Sequence, residues 1–164
     1  MKGIREPLLW IALASFVAFL PFSTVALPVS AALALSMQCL SSTRLGSHAR
    51  KALLIAAVAA WFTCALHATF LTPIPIPFHL HRLAGSSMTF ALLAMAHALG
   101  RMAETAAIEE SALWLLAVRV LFVGGLVIDL VTGGAGVGIM LLSCPIFAVL
   151  VLQLRARIPQ PDAR

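Results

Sequence analysis

Residues 52–71 read ALLIAAVAAWFTCALHATFL, and these twenty residues contain no Asp, Glu, Lys or Arg. A helix that crosses the hydrocarbon core of a bilayer needs about 20 consecutive apolar residues. The stretch follows the basic pair Arg50-Lys51 and precedes TPIPIP at residues 72–77, where alternate prolines cannot continue a helix. It therefore predicts a membrane-spanning helix with a cationic start and a proline-rich end.

The composition extends this conclusion to the whole chain of 164 residues. Apolar residues make up 62% and charged residues 10%, and the mean hydropathy is +1.04, whereas soluble domains are about half apolar and a quarter charged. Most of the cations behind the net charge of +5 flank apolar runs, and no basic block is long enough to bind nucleic-acid phosphates. We therefore expect a single membrane domain over residues 1–164 that binds no nucleic acid.

Five further short helices are predicted on either side of this stretch. The apolar residues from Pro7 to Leu40 are too many for one span, and Pro21 and Pro28 predict a turn over residues 21–28 between two helices. Because apolar sequence continues past this turn, we interpret the first helix as uncleaved rather than as a signal peptide. The later helices are predicted at residues 83–101, 113–131 and 137–154, with a polar connection at 104–110, a glycine turn at 133–136 and a tail at 155–164.

The distribution of cations predicts the orientation of this all-α bundle. Loop cations favour the cytoplasmic side of a membrane. With six helices and a cytoplasmic N-terminus, the segments 44–51 and 101–110 and the C-terminal tail all lie inside, and Arg82 is the one loop cation outside. We therefore expect both termini in the cytoplasm of a bacterium, with the chain spanning its inner membrane.

Small residues predict close helix contacts, because they let backbones approach each other inside a bilayer. Pairs at a spacing of four are Ala14 with Ala18, Ala32 with Ser36, Ala56 with Ala60 and Ala94 with Ala98. The glycines at 124, 125, 133, 134, 136 and 138 fit no phosphate-loop pattern and indicate turns and close packing. The three cysteines, Cys39, Cys64 and Cys144, form no CxxC pair and are expected to be buried thiols.

Ionisable groups in a membrane are costly, so each is a candidate for function. In the predicted topology His67 and Asp129 lie late in outward-running helices, near His79 and His81 of the outer loop. Ser86 and Ser87 begin the next helix. Imidazole nitrogens and a carboxylate can build a zinc site, and a catalytic version would leave one coordination position for water. The competing interpretation is that these groups are ordinary polar residues wetted at the interface.

His97 and Arg119 form a second group of candidates, toward the inner face. Arg119 is expected to extend its charge to the cytoplasmic interface or to pair with Glu109 or Glu110. Haem held by two axial histidines is a further hypothesis. His67 and His97 lie on adjacent helices but at different depths, whereas His67 and His81 are level.

The stretch from Ala52 to Leu154 resembles a family of uncharacterised bacterial six-helix membrane proteins. The resemblance lies in a helix that ends at a proline-containing outer loop, a restart HLHRLAG at residues 79–85, a basic and acidic inner loop, and two final helices. It implies the fold and no activity. Residues 77–85 with His97 are similar to the haem-binding helix of ferric-reductase-type proteins, although the histidine spacing differs. Residues 125–134 are similar to a turn in rod-shape-determining D proteins.

Three functional classes follow from these observations. The first is a module without enzymatic activity, either a subunit of a larger membrane assembly or a small transport or binding component, embedded in lipid and without a cofactor. It rests on the few reactive groups and the small extramembrane mass. The second is a metal-dependent hydrolase that acts on a lipid through His67, His79, His81 and Asp129, where a metal would activate water. The third is a haem-binding electron carrier.

Overall fold

The structure, a computed structural model, describes residues 3–18, 23–43, 45–71, 78–132 and 136–158, without the side chains of residues 23, 24, 78, 79, 81 and 137. The described residues are all-helical apart from short connections. They form six helices: α1 (Arg5–Val17), α2 (Ser23–Ser41), α3 (Ser47–Thr69), α4 (Phe78–Thr105), α5 (Glu109–Thr132) and α6 (Gly136–Arg157).

Four of these helices are long and apolar enough to cross a membrane, and they are α3, α4, α5 and α6. The predicted all-helical fold with several apolar helices of membrane-spanning length is confirmed. In α2, residues 25–41 form a shorter apolar helix, and the 13 residues of α1 reach only about 20 Å at 1.5 Å per residue. Large apolar side chains cover the outer surfaces of α3 and α5, as at Val58 and Val131, which are 69% and 81% exposed.

The helices form a closed ring. Each helix packs against its neighbours in the sequence, α6 packs against α1, and α4 also touches α6. At the junction of α1 and α6, Arg5 Nε donates to the Arg155 carbonyl oxygen at 3.1 Å, and Arg155 Nε donates to the Arg5 carbonyl oxygen at 2.9 Å. The start of α1 and the end of α6 therefore lie at the same end of the bundle.

The connections α2–α3 and α4–α5 also lie at that end. Gly3 lies against Thr43, and Gly46 lies against Thr105. Arg157 forms a salt bridge of 2.8 Å with Glu110 at the start of α5. We call this the basic end, because it carries the cations Arg5, Arg50, Lys51, Arg101, Arg155 and Arg157. The predicted gathering of these segments is confirmed, and their cytoplasmic location is a proposal.

Small residues lie at the helix contacts, as predicted. Ala56 and Ala60 are both fully buried. Each of the other three predicted pairs has one buried and one half-buried member. In a bilayer such contacts replace the hydrophobic driving force, since lipid tails are as apolar as the side chains themselves.

Several predicted boundaries are wrong, and α5, for example, begins at Glu109 rather than at residue 113. The turn expected over residues 21–28 is shorter, because α2 already begins at Ser23 and Pro28 lies inside it; residues 21 and 22 lie outside the described part. α4 begins at Phe78 rather than at residue 83, so His79 and His81 belong to a helix and not to a loop. A helix can follow directly after a proline such as Pro77, which disrupts only the turn before it. The helix α6 extends to Arg157, into the predicted tail.

Candidate functional site

The structure describes the side chains of two of the four outer candidates, His67 and Asp129. His67 stands near the end of α3, half-buried, with its ring edge-on to Phe70 at a centroid distance of 5.9 Å. Its Nδ1 atom is buried. Asp129 of α5 is 9% exposed, and its Oδ1 is buried without a hydrogen-bond partner among the described residues.

The predicted zinc ligands are not all described. The side chains of His79 and His81 lie outside the described part of the chain, and among the residues that are described no three His, Cys, Asp or Glu could hold a metal together. The four-residue zinc site therefore stays a prediction, as does haem. The Ser87 hydroxyl donates to the Ala84 carbonyl oxygen at 2.8 Å and accepts from the Thr63 hydroxyl of α3 at 3.2 Å. It therefore links α4 to α3.

The inner candidates His97 and Arg119 are brought together. Arg119 Nη1 lies 2.7 Å from His97 Nδ1, which joins α5 to α4. The guanidinium lies over Gly100, where a methyl group would stand at an ordinary contact distance of 3.9 Å from Arg119 Cζ. Arg119 does not form the suggested ion pair with Glu110, because Glu110 forms a salt bridge with Arg157.

These two side chains stand in a groove on the outer surface of the bundle, which the sequence analysis did not predict. Its floor is α4 and its walls are α3 and α5. Three connected clefts make up this α4 groove, with volumes of about 740, 580 and 260 Å³. The largest cleft shares Phe90 with the second and Ile55 with the third, and the second and third share Ala94 and His97.

The groove changes character along its length. The largest cleft is lined by apolar side chains such as Phe62, Leu126 and Leu130, with Ser86 and Ser87 on its floor. The smallest cleft lies nearest the basic end and is lined by His48, Lys51, His97 and Arg101. The α4 groove thus has a long apolar part and a cationic end.

A signal for this groove is present in the sequence of α4. Six of its floor residues form one row, with Ser86 and Leu93 beside it: Leu83, Ser87, Phe90, Ala94, His97 and Arg101. Their spacing of four, three, four, three and four residues places them on one helix face. From the sequence, Ser87 was predicted near the outer face and His97 toward the inner face, and their common helix face was not recognised.

Comparison with known proteins adds no relative. No protein-family model, curated protein or solved structure matches the chain. The family resemblances drawn from the sequence therefore remain expectations.

Proposed function

We propose that the chain is an integral protein of a bacterial inner membrane, with both termini in the cytoplasm, and that it acts as a small binding module without catalysis. The working surface is the α4 groove. The observation that carries the proposal is the largest cleft, an apolar channel of about 740 Å³ between α3 and α5.

The size and lining of the groove suit an elongated apolar ligand. Small-molecule sites are commonly clefts of about 300–1,000 Å³ with mainly apolar walls and few polar groups. The groove lies on the outer surface of the bundle, and its walls carry the exposed side chains of Val58, Phe62 and Leu130. In a bilayer this surface faces acyl chains, so a membrane amphiphile can enter sideways without crossing water.

Filling the groove tests this proposal. The Ser86→Phe variant places a ring on the floor of the largest cleft, and we expect it to reduce the lipid that co-purifies with the protein in mild detergent by at least half. The matched control is Ala117→Phe, an exposed position of α5 outside the groove lining. Native mass spectrometry of both variants gives the bound lipid per protein.

Equal lipid retention in the two variants would contradict the proposal. Stoichiometric recovery of another membrane protein, lost only in Ser86→Phe, would instead favour the subunit role. Melting temperatures of the lipid-depleted proteins show whether either substitution disturbs the fold.

A further inference from the structure

We infer that the α4 groove binds the headgroup of an anionic phospholipid where its cationic end meets the second cleft, with Arg119 and His97 as the binding groups. This inference rests on the proposed function and names the chemical class of the amphiphile. The acyl chains would occupy the apolar part of the same groove.

Arg119 is a cation that lacks a counter-ion. It lies ten residues after the start of α5, which is about 15 Å along the helix at 1.5 Å per residue. Among the described residues no carboxylate forms a salt bridge with it, and its Nε is buried without a partner. Since an unpaired charge at membrane depth is costly, an anion supplied from outside the chain would stabilise it.

His97 complements Arg119. Because Arg119 donates to His97 Nδ1, that nitrogen acts as the acceptor and the neutral ring carries its proton on Nε2. The exposed His97 therefore offers a donor beside the guanidinium. A guanidinium and a neighbouring N–H suit phosphate oxygens, since Arg can bind phosphate with two parallel hydrogen bonds.

The surrounding charges have the sign that this ligand needs. His48, Lys51 and Arg101 line the adjoining cleft, and the carboxylate of Glu104 is paired with Arg101. The described lining of the two cleft regions that meet at His97 contains no Asp or Glu. Basic pockets between membrane helices on the cytoplasmic side are suited to anionic headgroups.

The apolar part of the groove argues for a lipid rather than a free anion. The cleft that contains Arg119 continues along Phe90, Leu93, Val120 and Val123. It joins the largest cleft at Phe90. A charged end followed by an apolar channel matches the headgroup and chains of one phospholipid.

The test measures lipid binding to the purified full-length protein by native mass spectrometry. Phosphatidylglycerol and phosphatidylcholine with identical acyl chains are titrated separately. We expect phosphatidylglycerol to bind at least about tenfold more tightly, the size expected for a charge-assisted contact. The Arg119→Gln variant should lose this preference, and Arg119→Lys should retain part of it.

The control is Arg157→Gln, which removes a cation of the basic end that is paired with Glu110 and does not line the groove. It should keep the full preference for phosphatidylglycerol. Equal binding of both lipids by the unmodified protein would overturn this inference while the proposed function stands. Binding of neither lipid would overturn both. Equal protection from thermal unfolding by millimolar inorganic phosphate and by phosphatidylglycerol would also overturn the lipid assignment.

Discussion

At the scale of single residues, two glycines mark a close contact between α5 and α6. A methyl group added to Gly136 would overlap the Gly125 carbonyl oxygen and the Asp129 backbone nitrogen, and it would lie 2.8 Å from Asp129 Cβ. One added to Gly125 would lie 2.7 Å from Met140 Cγ. Since two backbones meet at Gly136, neighbouring side chains cannot relieve the overlap by changing rotamer.

We therefore expect Gly136→Ala to lower the free energy of unfolding by about 1–3 kcal/mol, as overpacking does in other closely packed interiors. The matched control is Gly138→Ala in the same helix, where an added methyl group meets nothing within 4 Å. Alanine favours helix over glycine by about 1 kcal/mol, so the control should be neutral or slightly stabilising. Thermal unfolding in detergent compares the two, and equal melting temperatures would contradict this account of the contact.

At the scale of elements, the six apolar runs were predictable because each leaves a local mark in composition, length and flanking charge. The sequence also indicated close packing at the glycines of α5 and α6. The partner of Arg119 was not predictable in the same way. Whether it meets His97 on α4 or Glu110 depends on how α5 is rotated against its neighbours, and that rotation follows from side-chain packing across helices.

The α4 groove escaped prediction for a related reason. A recess exists only once α3 and α5 stand on either side of α4, so no single helix contains it. The spacing of Leu83 to Arg101 marked one face of α4 but did not show whether that face was covered. The start of α4 was misplaced because the prolines of residues 72–77 gave no indication of how soon the helix resumes after them.

The contact between α1 and α6 gives a prediction at the element scale. Each guanidinium of Arg5 and Arg155 binds the backbone carbonyl of the other residue, so each bond survives removal of the opposite side chain. We expect Arg5→Gln and Arg155→Gln each to destabilise the protein by about 1 kcal/mol, and the double variant to fall below both. Arg50→Gln, an exposed cation at the same end, is the control. A double variant no less stable than either single variant would argue against two separate bonds.

At the scale of the whole molecule, the proposed lipid site depends on the orientation of the bundle in the membrane. The basic end gathers the start of α1, the connections α2–α3 and α4–α5, and the end of α6. The largest, apolar cleft begins beyond it. If the basic end is cytoplasmic, Arg119 and His97 lie toward the leaflet that faces the cytoplasm, where anionic headgroups can reach them. The opposite orientation would put the cationic end of the groove at the outer face.

The most direct test is therefore to determine on which side of the membrane each end of α3 lies. Single cysteines are introduced as Ser47→Cys at its start and Leu71→Cys just beyond its end, both at exposed positions, in a background that lacks Cys39, Cys64 and Cys144. Intact cells are treated with a thiol reagent that cannot cross the membrane, and permeabilised cells serve as the control for reactivity. We predict labelling at position 71 in intact cells and at position 47 only after permeabilisation. Labelling at position 47 and not at 71 in intact cells would contradict the account.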